Sequence, residues 1–224
     1  MITSSDIIYY GIGENNSVRA VNIIYSEKGS KFDVLIDGKL YGKFDLPLFG
    51  EHQVLDALAC ITVCYLENMN SVEVQNVFKS FSGAKRRFTE TVVGNSIIID
   101  DYAHHPNEVE TVINACRQKY KGKKLIAIFQ PHTFTRTKEF ADDLVKEFSK
   151  IDEAYILDIH PAREKQEDYP DVTSNMIVSK LKNGHLLNKD NAEELGQYDN
   201  SVFMFMSPND VSYYENLVKE MKSK

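Results

Sequence analysis

The amino-acid sequence predicts an α/β protein whose C-terminal part is a doubly wound, mostly parallel, Rossmann-like sheet. Three observations carry that reading. Nearly continuous apolar runs, at Ser96-Ile97-Ile98-Ile99, Lys124 to Phe129, Ala154 to Ile159 and Ser201 to Met206, have the texture of strands buried on both faces. Segments with apolar residues at helical spacing stand between them. The residues that follow each run are polar and rich in histidine, in contrast to the runs themselves. Regular alternation of strand and helix builds a parallel sheet covered by helices.

The opening segments are β-rich: Ile7 to Tyr10, Val21 to Tyr25 and Lys31 to Ile36. Asp37-Gly38, followed by alternating Leu40, Gly42 and Phe44, is a strong two-residue hairpin signal. Apolar residues at Val54, Leu58, Ile61 and Tyr65 give a deeply packed helix over about 50–67. A second helix is expected from Ser71 to Phe81, with Ser71 as N-cap and Val74, Val77, Phe78 and Phe81 on one face. Beyond Gly94 the strand and helix alternation begins, so a boundary falls between Phe81 and Gly94 and gives domains 1–84 and 85–224. Pro106 opens a helix striped by Val109, Val112, Ile113, Cys116 and Tyr120; Phe140, Leu144, Val145 and Phe148 stripe the next. Further helices are expected near 173–182, 190–196 and 209–222.

Composition narrows the function. With 26 Lys+Arg against 33 Asp+Glu among 224 residues, the formal charge is -7, which argues against a nucleic-acid surface. No run approaches the roughly 18 apolar residues of a membrane helix. Thr3-Ser4-Ser5-Asp6 after Met1 is unlike a secretory leader, so no membrane insertion and a cytoplasmic location are expected. Cys60, Cys64 and Cys116 match no zinc or disulfide pattern and read as reduced core residues.

In a parallel α/β sheet, ligands sit beyond the carboxyl ends of the strands. Those ends here are Asp100 to Glu108, Gln130 to Thr137, His160 to Glu164 and Ser207 to Asp210, and they hold four of the six histidines. A resident metal is not expected, because His104 and His105 are adjacent and no His-Glu-x-x-His spacing occurs. No Gly-x-Ser-x-Gly nucleophile elbow exists, and Gly11-Ile12-Gly13 lacks the third glycine of a dinucleotide loop. Arg86, Arg87, Arg136 and Arg163 remain as forked donors for phosphate or carboxylate, although Arg86-Arg87 also reads as a solvated basic turn.

Four ordered blocks resemble the signature segments of the Mur ligases: Gly50-Glu51-His52-Gln53-Val54-Leu55-Asp56, Gly83-Ala84-Lys85-Arg86-Arg87-Phe88, Asp100-Asp101-Tyr102-Ala103-His104-His105-Pro106, and Phe129-Gln130-Pro131-His132-Thr133-Phe134-Thr135-Arg136-Thr137. The last two are most similar to members that join L-alanine to UDP-N-acetylmuramate; members that attach a recovered murein peptide, and a stand-alone nucleotide-binding module, are the alternatives. The resemblance implies a ligase that uses ATP and Mg2+ to turn the muramyl carboxylate into an acyl phosphate, which the amine of L-alanine attacks. It implies nucleotide contacts for His52, Gln53, Asp56, Arg87, Asp101 and Tyr102, catalytic roles for His104 and His132, and an alanine-carboxylate contact for Arg136. Residues 1–84 would be the C-terminal part, a β-hairpin and helices, of the central ATP-binding domain, and 85–224 the C-terminal domain. No Gly-x-x-x-x-Gly-Lys-[Ser/Thr] loop occurs, which suggests a fragment that does not ligate alone. Two departures stand out: Asp56 replaces an asparagine, and Ser207-Pro208-Asn209-Asp210 replaces a glycine-rich loop.

Overall fold

The computed structural model describes residues 7–223. The chain folds as two compact units, one running to Gly83 together with Arg117–Lys121, the other comprising Ala84–Cys116 and the chain from Gly122 on.

The first unit is a four-stranded sheet with two helices. Its strands, β1 (Tyr10–Gly11), β2 (Val18–Ser26), β3 (Gly29–Ile36) and β4 (Lys39–Leu46), lie in sequence order; β1 pairs parallel to β2 and the rest are antiparallel. Asp37 and Gly38 turn the expected hairpin with φ of 47° and 76°, the paired left-handed conformation that matches strand twist. Val18, Ala20, Phe32, Val34, Phe44 and Leu46 alternate onto one face and pack with Val54, Leu58 and Ile61 of α1 (Glu51–Leu66) and Val74 of α2 (Ser71–Ser80).

Several local expectations need correction here. Ile7 to Tyr9 form no strand; only Tyr10–Gly11 pairs. Asn70, not Ser71, caps α2, its side chain accepting the amides of Val72 and Glu73 at 3.1 and 3.0 Å. Of the expected apolar face on α2, Val74 is buried and Phe78 packs edge-on against Phe44, while Val77 and Phe81 are exposed. Phe81 lies past the helix end in extended backbone, so it leaves the stripe. Tyr65 of α1 is also exposed. Cys60 is on the solvent side, Cys64 half-buried and Cys116 buried, and none of the three is in a disulfide.

The second unit is a six-stranded sheet: β5 (Thr89–Val93), β6 (Ser96–Asp101), β7 (Lys124–Phe129), β8 (Glu153–Ile156), β9 (Gly184–Leu186) and β10 (Ser201–Met206), in spatial order β5-β6-β10-β7-β8-β9. All neighbours are parallel except β5 and β6. Helices α3 (Pro106–Lys119), α4 (Phe134–Phe148), α5 (Asn175–Val178) and α6 (Ser212–Lys222) connect or follow the strands. The last strand in sequence, β10, thus sits between β6 and β7, and all six of its residues are buried. Ile98, Ile126, Ile128, Tyr155, Phe203 and Phe205 form the core on one side.

Here too the sequence reading shifts. Hairpin partner β5 was not expected, although Gly94-Asn95 is a two-residue turn signal. The strand expected to reach Ile159 stops at Ile156, because its register partner Phe129 is the last residue of β7. The helix expected over 173–182 is only Asn175–Val178: the chain turns into β9, where a side chain on Gly184 would meet Leu181 at 2.8 Å. The segment near 190–196 is a 3-10 helix, Ala192–Gln197, and the last helix starts at Ser212 because residues 207–211 form a fastened loop.

Candidate functional site

The loops leaving β6, β10, β7 and β8 lie side by side at the carboxyl end of the sheet. After β6, Asp101 is buried, and its carboxylate accepts the amides of Phe88 at 2.7 Å and Ala103 at 2.8 Å. Desolvation raises its pKa, more than these bonds and the Arg87 charge lower it. Tyr102 is 40% exposed, with the guanidinium carbons of Arg86 and Arg87 at 5.5 and 5.7 Å from its ring centre. Arg86 is turned back onto the protein, whereas the exposed Arg87 has no side-chain hydrogen bond among the described residues.

The adjacent histidines part company. His104 Nδ1 lies 3.0 Å from the Tyr102 carbonyl, which can only accept. Nδ1 therefore donates, which leaves Nε2 as the nitrogen that presents a lone pair whenever the ring is neutral. His105 stands before Pro106 as a helix cap: its Nδ1 accepts the Asn107 amide at 3.3 Å and its ring packs 4.6 Å from Phe140. Glu108 closes the capping box, one oxygen accepting the amides of His104 and His105 at 2.9 and 3.1 Å. Burial opposes its ionisation, but these bonds and the His104 charge still hold its carboxyl below the usual range.

Between β7 and α4, His132 lies 5.8 Å ring to ring from His104 and 5.6 Å from His160, on which it stacks. Burial, then the charges of Arg136, His104 and His160, push its pKa below that of a free imidazole, so it is neutral at pH 7. Its Nδ1 and the Nη1 of Arg136 are both buried without a hydrogen-bond partner. A buried donor or acceptor left unpaired is costly, so a ligand group that satisfies both is favoured. Thr133 caps α4 in a left-handed conformation, φ 67° and ψ 144°, where a β-branched residue is strained. Glu164 fastens the same helix end, accepting the Thr135 amide at 3.0 Å and the Thr135 hydroxyl. Neighbouring Arg163 is exposed.

Thus Arg87, Tyr102, His104, His132 and Arg136 line one edge of the second unit, with Asp101 buried beneath its loop. Glu164 and the gripping role of Arg86 were missed by sequence reasoning; only the place of Glu164 after a strand and of Arg86 in the basic turn hinted at them. His52, Gln53 and Asp56 lie on the first turns of α1 in the first unit. Gln53 Nε2 donates to His52 Nε2 at 3.0 Å, and Asp56 is exposed one turn on from His52.

Residues 86–202 match the model of the Mur ligase, glutamate ligase domain. The chain belongs to the Mur ligase family. It is 43% identical over 216 residues to the UDP-N-acetylmuramate–L-alanine ligase of Lactiplantibacillus plantarum, covering 96% of this chain and 49% of that protein. Among solved structures, the UDP-N-acetylmuramate-alanine ligase of Thermotoga maritima superposes with a TM-score of 0.77 at 23% identity, over 95% of this chain and 47% of the other. A murein peptide ligase from Psychrobacter arcticus gives 0.66 at 17%, over 96% and 46%; these two show the fold. The chain spans about half the length of the curated relative it matches. One further family structure, a ligase from Thermotoga maritima, holds ADP. For the family member in hand, the edge combines forked cations, a neutral imidazole and stacking rings, which suits anions and an amine rather than a protein nucleophile. Among the described residues no three His, Cys, Asp or Glu side chains gather as a metal-binding group, and no helix is long and apolar enough to cross a membrane.

Proposed function

We propose that this chain is part of an ATP-dependent ligase that joins L-alanine to UDP-N-acetylmuramate in the cytoplasm, for peptidoglycan precursor synthesis. One observation carries the reading: the unpartnered Arg136 Nη1 stands beside the neutral, unpartnered imidazole of His132. An α-amino acid brings the two matching groups, a carboxylate for the guanidinium and an ammonium that must lose a proton before it can attack. The name of the 43% identical relative supports alanine as that amino acid.

Arg136 holds the alanine carboxylate by a charge-assisted contact. His132 takes a proton from the alanine ammonium, and the freed amine bonds to the activated muramyl carbonyl carbon; the bond from that carbon to the phosphate oxygen breaks, and the departing phosphate carries away the second nitrogen proton. His104 sits next in the row, its ring 5.8 Å from that of His132, and stabilises the imidazolium that forms there only while itself neutral. Arg87 faces nucleotide phosphate and Tyr102 stacks beside adenine. Asp101 holds the loop under them and keeps one lone pair per oxygen for ribose hydroxyls. His52, Gln53 and Asp56 are assigned to the nucleotide by the match of residues alone; ionised Asp56 can only accept, so an amide donor to adenine is lost there. Magnesium would arrive on the nucleotide phosphates, since no acidic cage stands among the described residues, and no step above depends on it.

The test is phosphate release by the full-length enzyme with UDP-N-acetylmuramate and either L-alanine or a murein tripeptide. L-alanine is the expected substrate; preference for the tripeptide would select the murein peptide reading. In that enzyme Arg136→Ala should raise the apparent KM for L-alanine by tenfold or more, the size of one charge-assisted hydrogen bond, and leave that for ATP nearly unchanged. Equal rises would make Arg136 structural. The 224-residue chain alone should not ligate, because the phosphate-cradling loop is absent from its sequence.

A further inference from the structure

Arg86 is half-buried, and its guanidinium is spent on one loop. Nη2 donates to the backbone carbonyls of Ser207 at 2.6 Å and Asn209 at 3.2 Å, Nη1 to that of Pro208 at 3.4 Å, and Nε to Asp100 Oδ1 at 3.4 Å. These bonds use four of the five N–H groups that an arginine has. Its own backbone is anchored as well: the amide donates to Thr89 Oγ1 at 2.8 Å and the carbonyl accepts the Tyr102 amide at 3.0 Å.

The gripped loop leaves β10, the strand inserted between β6 and β7, and is fastened on its other side too. Ser207 Oγ and Asn209 Nδ2 donate to Gln130 Oε1 at 3.3 and 3.2 Å, and Gln130 Nε2 reaches the Asp158 carbonyl at 3.4 Å. A strap of hydrogen bonds therefore runs across the ends of β6, β10, β7 and β8, with Arg86 as its outer anchor. The same guanidinium lies 5.5 Å from the Tyr102 ring centre, within cation–π range.

We propose that Arg86 is a positioning residue: it ties the Ser207–Asn209 loop to Tyr102, which sets the adenine-side ring and leaves neighbouring Arg87 as the arginine that meets phosphate. The nucleotide part rests on the function proposed above; the loop-fixing part does not. A lysine keeps the charge near Asp100 and Tyr102 but is a point donor, and it cannot serve three successive carbonyls as a planar fork does.

The experiment compares wild type, Arg86→Lys, Arg86→Ala and Arg87→Ala. By amide hydrogen exchange on the purified 224-residue chain, Ser207 and Asn209 should exchange about tenfold faster in Arg86→Lys, with β10 itself unchanged, and at the wild-type rate in Arg87→Ala. In the full-length enzyme, Arg86→Lys should raise the KM for ATP several-fold and leave that for L-alanine unmoved. Wild-type exchange in Arg86→Lys overturns the proposal without reference to catalysis. Faster exchange with equal rises in both KM values overturns its nucleotide part. A wild-type enzyme that does not ligate overturns the functional reading, and the exchange rates then decide the loop-fixing role by themselves. Should Arg86→Ala fail to fold, the lysine variant carries both measurements.

Discussion

The buried carboxylate of Asp101 holds the backbone of Phe88: Oδ2 accepts the Phe88 amide at 2.7 Å, while Oδ1 accepts that of Ala103 at 2.8 Å. The end of β6 is thereby tied to the segment that enters β5, and the Arg86-Arg87 pair is carried on that segment. Asparagine is nearly isosteric but has a single acceptor, and its NH2 would face a backbone N–H. Asp101→Asn is therefore expected to cost about 1–3 kcal/mol of stability, the range for leaving a buried donor unpaired. Denaturant unfolding measures it, and a loss indistinguishable from zero would mean that the loop is held by other contacts.

Thr133 offers the opposite case, a substitution that should stabilise. Its φ of 67° with ψ of 144° lies in a region nearly exclusive to glycine, at a cost of order 1–3 kcal/mol. Its hydroxyl caps α4 through a long 3.4 Å contact with the Arg136 amide, and replacing a threonine cap by glycine costs only a few tenths of a kcal/mol. Thr133→Gly should raise the unfolding free energy by about 1 kcal/mol. A decrease in the denaturation midpoint would show that the hydroxyl matters more than the backbone. The Arg136 side chain starts from this turn, so the same variant should loosen alanine binding if the strain sets its aim.

His132 supplies the pH dependence. Its pKa is depressed by burial first and by the Arg136 charge second. The unfolded imidazole, with a pKa near 6.5, therefore takes up its proton at a higher pH than the native one. Between those two values the unfolded state binds more protons, so stability falls as pH is lowered through that window and is complete above it. Imidazole NMR should find His132 titrating below free histidine, and Arg136→Gln should move it upward. An unmoved titration in that variant would leave burial and the neighbouring His104 and His160 as the causes.

Some of this was legible because it is local. The Asp37-Gly38 turn, the stripe Val109, Val112, Ile113 and Cys116, and the apolar run of β10 each report burial within one element, and each appears where expected. The choice between Ser71 and Asn70 as a cap was not, since both residue types serve and only the chain path selects one. For the site, the polar strand ends were visible, and the family blocks named most of the residues on them.

What the sequence by itself determined was that buried strands would end in a histidine-rich and arginine-rich edge, because hydrophobic periodicity fixes which residues leave water and which remain at the ends. Only the tertiary structure decided how that edge is divided among neighbours. His104 faces the row of rings while His105 caps α3, and Arg86 grips a loop while the exposed Arg87 side chain makes no hydrogen bond among the described residues. The physical reason lies in strand order. β10 comes last in sequence but inserts between β6 and β7, so the carbonyls that engage Arg86 belong to residues about 120 positions away, and no spacing along the chain encodes that meeting.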